Sequence, residues 1–403
     1  MSILDALSQR EAWESFYEYK LELAVPKSFT AELRSFIDGE RYLPVCESIA
    51  AGKPFPLPRK AVISKLGSEK KRVVYTYPEP ENTVLKLATH LILRKYDRLF
   101  KGTGLYSFRP GRTAKDAVRA LLRNGAVPGM YSYKADVHDY FNSIPVEKLL
   151  PMLEKTLSDD ERLYAFLASL LNEPFALDRG RPVKETKGIM AGTPLSSFYA
   201  NLYLSGLDRR FAGEGTIYAR YSDDIILFAD TEAEARERAE FIRAYLKDAG
   251  LEINPNKESF SAPEDGFTFL GFEVKGNSVD IAPATVKKLK QKMRRKRDAL
   301  ARWEKRNGTE PEKAAKAFIR IFNRKLLESP RDNELSWSSW FFPVINTAFS
   351  LHGIDLYAQD CLRYLISGTH KKSRFNVRYS DLKALGYRSL VNEFYAHKER
   401  SCD

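Results

Sequence analysis

Along the chain, apolar positions follow two rhythms, and the places where one gives way to the other predict the elements. Residues 1–58 read as short helices that end in Lys53-Pro-Phe-Pro-Leu-Pro58, where alternate prolines disfavour helix and extend the backbone. Two strands are predicted at 61–66 and 72–77, joined by a turn through Gly67. Val84, Leu87, Leu91, Tyr96 and Leu99 recur at helical spacing and predict a helix over 83–100. A strand at 131–137 and a helix over 149–171 follow. The Gly-Thr-Pro step at 192–194 starts a helix that runs to 211. Residues 218–230 hold two short apolar runs around an acidic pair, the pattern of a hairpin with carboxylates at its tip. A helix over 231–249 stops at Gly250, and 266–274 with 278–281 make a second hairpin. From Pro283 on, the pattern is helical throughout. This order predicts an α+β domain followed by an α-helical C-terminal region.

Composition narrows the class. A chain of 403 residues with 43% hydrophobic content can bury a sizeable core, and Gly 22 with Pro 20 is too little for a fibrous or low-complexity protein. The balance of 65 Lys+Arg against 53 Asp+Glu gives +12, which points to an anionic partner. That charge is concentrated: residues 285–307 carry eleven Lys and Arg against Asp298 and Glu304. So one-sided a helix repels itself unless phosphates lie nearby, which makes Lys288, Lys292 and Arg295 candidates for nucleic-acid contact. Cys46, Cys361 and Cys402, with five His, show neither a disulfide framework nor zinc spacing, as expected of a cytoplasmic protein. No apolar run reaches the roughly 18 residues that span a bilayer, and the first residues do not read as a secretory signal. No membrane partner is expected.

The chemistry centres on Tyr221-Ser222-Asp223-Asp224. Adjacent carboxylates between apolar strands raise each other's pKa unless a cation neutralises them, and oxygen donors favour Mg²⁺. An Asp pair also suits an ordinary turn. Upstream, Asp136 ends a predicted strand and could join the pair across a sheet, with Asp139 as the other candidate. Three carboxylates from two strands could hold two metals about 4 Å apart, activating a 3′-hydroxyl and stabilising a pyrophosphate leaving group.

From about Arg59 to Val274 the sequence resembles a bacterial reverse transcriptase of the group II intron-like lineage. The matching pieces, in family order, are Lys65 with Arg72; 108–112 (Phe-Arg-Pro-Gly-Arg); 136–141; 188–196 (Gly-Ile-Met-Ala-Gly-Thr-Pro-Leu-Ser) followed by 200–203 (Ala-Asn-Leu-Tyr); 221–224; 250–254 with Lys257; and 269–272 (Phe-Leu-Gly-Phe). The resemblance implies a right-hand polymerase: an N-terminal extension at 1–58, fingers and palm at 59–281, and a helical thumb and C-terminal region at 282–403. It implies RNA-directed DNA synthesis with Asp136, Asp223 and Asp224 as ligands of two Mg²⁺ ions, Mn²⁺ being a possible substitute. Lys65 and Arg72 would meet the incoming triphosphate, along which the backbone of Val137 and His138 would lie. Phe141, five residues after Asp136, would exclude a 2′-hydroxyl and select deoxynucleotides. Lys257 would protonate pyrophosphate. Arg109 and Arg112 would contact template or phosphate, and Phe269 with Gly271 would form a primer grip.

Two departures stand out. Met190-Ala191-Gly192 replaces the family's usual Pro-Gln-Gly, removing an amide expected near the template base, and Ser222 replaces a small apolar residue. These place the chain nearer the divergent "unknown group" reverse transcriptases, many of them defence-associated, and the tail segments 374–379 and 385–391 resemble the class 2 members of that set. Members of that kind work on a co-encoded structured noncoding RNA and produce cDNA. In the tail, Arg378 and Arg388 alternate with Phe375, Tyr379 and Tyr387, which suits either stacking on unpaired bases or packing of an amphipathic terminus. The competing readings are a retron or mobile-intron reverse transcriptase, and a catalytically silent RNA-binding protein on a polymerase scaffold. Retron-type Val-Thr-Gly and Asn-Ala-x-x-His signatures are absent. A pure binder would have no use for three converging carboxylates.

Overall fold

The computed structural model describes residues 2–23, 25–64, 71–185, 188–328 and 336–400. The chain divides between Asp265 and Gly266 into two compact units, with residues 25–27 grouping with the second. The architecture is α+β, with the strands falling into three small sheets.

In the first unit, four N-terminal helices (Ile3–Ala6, Arg10–Glu22, Lys27–Asp38 and Leu43–Ala50) close over their own core of Trp13, Phe16, Phe36, Ile37 and Tyr42. That core is completed by Val84, Leu87 and Ala88 of the helix Glu81–Lys95. The extreme N-terminus is tied down: Ser2 Oγ and the Ile3 amide both donate to Asp160, which also caps the helix Glu161–Asn172. That cap is why the helix expected over 149–171 is two helices, Val146–Thr156 and Glu161–Asn172: a side chain committed to a helix start cannot lie mid-helix. The expected helix at 194–211 likewise breaks at Leu204 into Ser196–Tyr203 and Ser205–Gly213.

The strands β1 (Arg59–Ser64) and β2 (Lys71–Thr76) pair antiparallel, as their alternation predicts. The palm-like sheet begins with β3 (Tyr131–Asp136). A hairpin of β4 (Phe175–Asp178) and β5 (Arg181–Lys184) extends the first sheet to the order β2-β1-β4-β5. Sequence patterning missed this hairpin because its apolar runs are too short. Its signal was Arg179-Gly180, where both residues take positive φ, the two-residue turn that matches strand twist.

The acidic hairpin forms as predicted from β6 (Tyr218–Tyr221) and β7 (Asp224–Ala229), and a short β8 (Ser259–Ser261) completes a sheet of order β6-β7-β3-β8. Ile225 through Ala229 are all fully buried, so β7 reads as a continuous apolar run. The helix Glu232–Asp248 starts at a Thr231 cap and contributes Ala239, Ile242 and Leu246 to the core that also holds Tyr133 and Leu227.

The second unit opens with β9 (Phe267–Phe269), β10 (Phe272–Lys275) and β11 (Ser278–Ile281), an antiparallel sheet of three strands where a simple hairpin was expected. The extra turn is Leu270-Gly271, both at positive φ. The break between units falls ahead of this sheet, so it groups with the helices that follow it. The basic helix spans Pro283–Asn307 and buries only Met293 and Leu300. The helices Pro311–Leu326, Phe349–Ser367 and Leu390–Arg400 supply the rest of the core, with Asp355 accepting from Tyr387 Oη, Ser389 Oγ and the Leu390 and Val391 amides. Cys46 and Cys361 are free and buried, and no described helix is long and apolar enough to cross a membrane. Cys402 lies outside the described residues.

Candidate functional site

Register brings the predicted carboxylates to one end of the second sheet. Asp136, the last residue of β3, lies directly across from Asp224, the first residue of β7. Asp223 sits in the intervening turn, where its carbonyl accepts the Val137 amide at 3.0 Å. Burial pushes the Asp223 carboxyl up, and the neighbouring Asp136 charge adds to it. Burial and the Asp223 charge push Asp224 up to about 6. The side chains of Lys257 and Asn254 approach Asp136: the ammonium makes an ion pair with one carboxylate oxygen and the Asn254 amide donates to the other at 3.4 Å. Lys257 also opposes the charges of Asp223 and Asp224, with Arg72 acting on the former and Lys134 on the latter.

Among the described residues, no three His, Cys, Asp or Glu side chains converge on one point closely enough to hold a metal ion. The Asp136 carboxylate is instead paired with the Lys257 ammonium. The donor set itself is three carboxylates at one end of the sheet, two of them raised in pKa by burial and by one another's charge. Such all-oxygen donors fit a hard divalent cation, with Asp136, Asp223 and Asp224 as the residues that could hold it.

The other predicted residues divide. Phe141 is half-buried and meets Phe108 edge-on, ring centroids 6.3 Å apart. Its carbonyl accepts the Ile189 amide, and a Cβ at Gly188 would lie 2.6 Å from it and 2.3 Å from Asn142 Cα, so only glycine fits at 188. Val137 is buried, and the His138 amide donates to the Glu252 carbonyl at 2.7 Å. Both amides are therefore spent within the sheet and neither is free for a phosphate. His138 instead lines a cavity of ≈ 820 Å³ whose charged walls are Asp139, Glu147, Glu173, Glu185 and Glu252. An acidic wall is unsuited to phosphates. Arg72 is exposed on β2, while Lys65 lies outside the described residues.

Two of the residues expected at nucleic acid, Arg109 and Phe269, are engaged within the fold. Arg109 is spent on the fold: its Nε and Nη2 close a fork on Asp97 at 2.7 and 2.9 Å and Nη1 donates to the Leu105 carbonyl, with the side chain 7% exposed. Phe269 is 1% exposed, so its ring packs the small sheet. Tyr387 is buried with its hydroxyl on Asp355, which settles that part of the tail as packing. Arg112, Lys288, Lys292, Arg295 and Arg378 are exposed, as is Arg388, which pairs with Glu393 at 2.9 Å. Gly271 sits at φ 90°, with Thr285 and Phe341 in ordinary contact of where a Cβ would be.

Sequence reasoning missed the residues behind the acidic turn. Arg220, in the middle of the apolar β6, is fully buried and paired with a fully buried Asp208. A cation inside a strand otherwise reading as core was the available signal.

The match to the family "Reverse transcriptase (RNA-dependent DNA polymerase)" covers residues 63–274. A protein of Schizosaccharomyces pombe, "Uncharacterized 91 kDa protein in cob intron", is 28% identical over 153 residues, 37% of this chain and 18% of that protein. "Retron Ec86 reverse transcriptase" of Escherichia coli is 23% identical over 238 residues, 57% of this chain and 67% of its own length. Among solved structures, apo telomerase from Candida tropicalis aligns at TM-score 0.48 and 12% identity over 82% of this chain and 59% of that one. Telomerase from Candida albicans in complex with a fragment of telomeric RNA aligns at TM-score 0.46 and 11% identity over 88% and 71%. The two telomerase likenesses carry no argument about activity. The family match spans more than half of the chain and contains the whole acidic hairpin, so the chain belongs to the reverse transcriptase family, with an α+β fold of the right-hand polymerase kind.

Proposed function

We propose that this chain is an RNA-directed DNA polymerase, with its catalytic centre at Asp136, Asp223 and Asp224. The observation that carries the reading is the register of β3 against β7, which sets Asp136 across from Asp224 with Asp223 in the turn between β6 and β7. Reverse transcriptase domains use divalent metal ions. Bound at these carboxylates, a pair of Mg²⁺ ions would supply activation of a primer 3′-hydroxyl and neutralisation of the departing pyrophosphate. The chain's own residues do the rest. Lys257 holds a proton beside the site and can pass it to the leaving group. Phe141 lies under the sugar and leaves no room for a 2′-hydroxyl. Arg72 offers a guanidinium fork to the triphosphate. The exposed Lys288, Lys292 and Arg295 carry a phosphate backbone.

The finer reading is that the template is a co-encoded structured noncoding RNA and that the cDNA serves antiphage defence in the cytoplasm. The resemblance to the divergent lineage and the Met190-Ala191-Gly192 and Ser222 departures support it. The retron relative favours a second reading, a retron-type or intron-type enzyme. Primer extension on an RNA template with deoxynucleotides and Mg²⁺ tests the activity. Sequencing the nucleic acids that co-purify with the protein separates the two templates. A wild-type protein that extends no primer, while still binding RNA, would favour the silent-binder alternative.

A further inference from the structure

We propose that Ser107, Asn201, Asp208 and Arg220 form a positioning device that fixes the backbone of the acidic turn, and so the aim of Asp223 and Asp224. The inference rests on the polymerase reading above. Ser222, which precedes the two carboxylates, adopts φ 62°, a left-handed conformation that is uncommon and costly for a residue with a side chain. Both of its peptide groups are held by side chains from elsewhere in the chain. Its amide donates to Ser107 Oγ at 2.9 Å, and its carbonyl accepts from Arg220 Nη1 at 3.1 Å.

Each of those side chains is locked in turn. Ser107 Oγ donates to Asn201 Oδ1 at 3.1 Å, and Asn201 Nδ2 returns a bond to the Ser107 carbonyl at 2.8 Å. Arg220 Nη2 donates to the Asn201 carbonyl at 3.3 Å, while Nε and Nη2 grip the two Asp208 oxygens at 2.7 and 2.5 Å. Tyr218 Oη donates to the first of those oxygens at 2.9 Å. The next carbonyl along, that of Asp223, accepts the Val137 amide. The backbone between β6 and β7 is thus pinned at three polar groups of two adjacent residues.

Simple stability does not call for this arrangement. Ser107, Asn201, Asp208 and Arg220 are each 0% exposed. A buried ion pair is often no better than apolar packing of the same volume, and a two-residue hairpin turn forms without help when it carries Asn-Gly. What a fully satisfied network adds is a single geometry. Catalysis is sensitive to that, because small misplacements of a reacting centre carry large rate losses. None of the four residues touches a reacting group, so they are positioning residues. The arrangement also gives a task to Asn201 of the 200–203 segment, to Ser107 just ahead of the 108–112 turn, and to the unusual Ser222.

Two variants test this, read by steady-state primer extension, thermal midpoint and hydrogen exchange of the peptide spanning 218–229. Ser107→Ala removes the acceptor of the Ser222 amide at little cost in volume. It should lower kcat about tenfold, leave KM for the deoxynucleotide within about twofold, lower the thermal midpoint by only a few degrees, and speed exchange at Ser222. Arg220→Lys keeps the charge on Asp208 but loses the second arm to the Ser222 carbonyl, and should lower kcat by about a hundredfold. A folded Ser107→Ala protein with wild-type kcat would overturn the proposal. So would an equal change in KM, which would place the effect in binding. If the wild type extends no primer, the polymerase reading fails, but exchange still decides the clamp: an unaltered Ser222 amide in Ser107→Ala overturns it.

Discussion

Asp208 and Asp224 are both carboxylates next to the strand Tyr218–Tyr221, and they live under opposite electrostatics. Asp208 has no exposure and is fully answered: Arg220 takes both oxygens and Tyr218 adds a third bond. Asp224 is half-buried, stands beside Asp223 and across from Asp136, and is raised to about 6 by burial and by the Asp223 charge. A buried charge that is paired holds a shape, and removing its partner is costly. A group of like charges gathered under burial works against the fold, and such groups cluster at functional sites. The hairpin carries Arg220, the partner of the first, and Asp224 itself, so structure and chemistry are separated there by only a few residues.

The contrast is broken most severely by changing each side of it. Asp223→Ala with Asp224→Ala should cut DNA synthesis by about a thousandfold or more while leaving the thermal midpoint and RNA binding close to wild type. Residual synthesis within tenfold of wild type would refute the assignment. Asp208→Ala should do the opposite in kind, costing about 3–5 kcal/mol of stability by stranding Arg220, seen as a lower denaturant midpoint. If the two substitutions destabilise equally, the paired and unpaired carboxylates are not different in the way described.

Phe141→Ala probes the wall of the same site rather than its charges. Incorporation of ribonucleotides relative to deoxynucleotides should rise by about tenfold or more, and unchanged sugar discrimination would return Phe141 to core packing against Phe108. In the second unit the charges are positive and outward. Replacing Lys288, Lys292 and Arg295 by Ala should weaken RNA binding for all sequences and flatten the dependence on log salt by about 2–3. An identical slope would remove the basic helix from the interface. The smallest effect concerns a third buried titratable group, His90, which packs against Phe16 and Tyr19 and is lowered by burial to about 4 from 6.5. Because the folded form resists protonation, stability is intact above about pH 6.5 and is lost as pH falls toward 4. A pH scan of the thermal midpoint should be shallower over that window in His90→Phe.

Much of the site was legible because its signals are local. The acidic hairpin needs only two short apolar runs and a turn, and the strand ending at Asp136 needs only its own pattern. What remained hidden depends on partners distant in sequence. No spacing rule shows that Lys257, 121 residues on, comes to rest on Asp136, or that Asp97 closes on Arg109 and leaves it no role at a phosphate. Phe269 is instructive in another way. Its apolar pattern spoke for burial and its family resemblance for a primer contact, and packing won. The β4–β5 hairpin was overlooked because four-residue strands carry too few positions for alternation to be counted.

The central claim is that Asp136, Asp223 and Asp224 act as one cation-binding centre. Titrating the protein with Mn²⁺, in the presence of a primer–template and a non-reactive deoxynucleotide, and following bound ion by electron paramagnetic resonance tests it most directly. The account predicts tight Mn²⁺ binding by the wild type that is lost in Asp136→Ala and in Asp223→Ala alike. Undiminished Mn²⁺ binding in Asp136→Ala would contradict it.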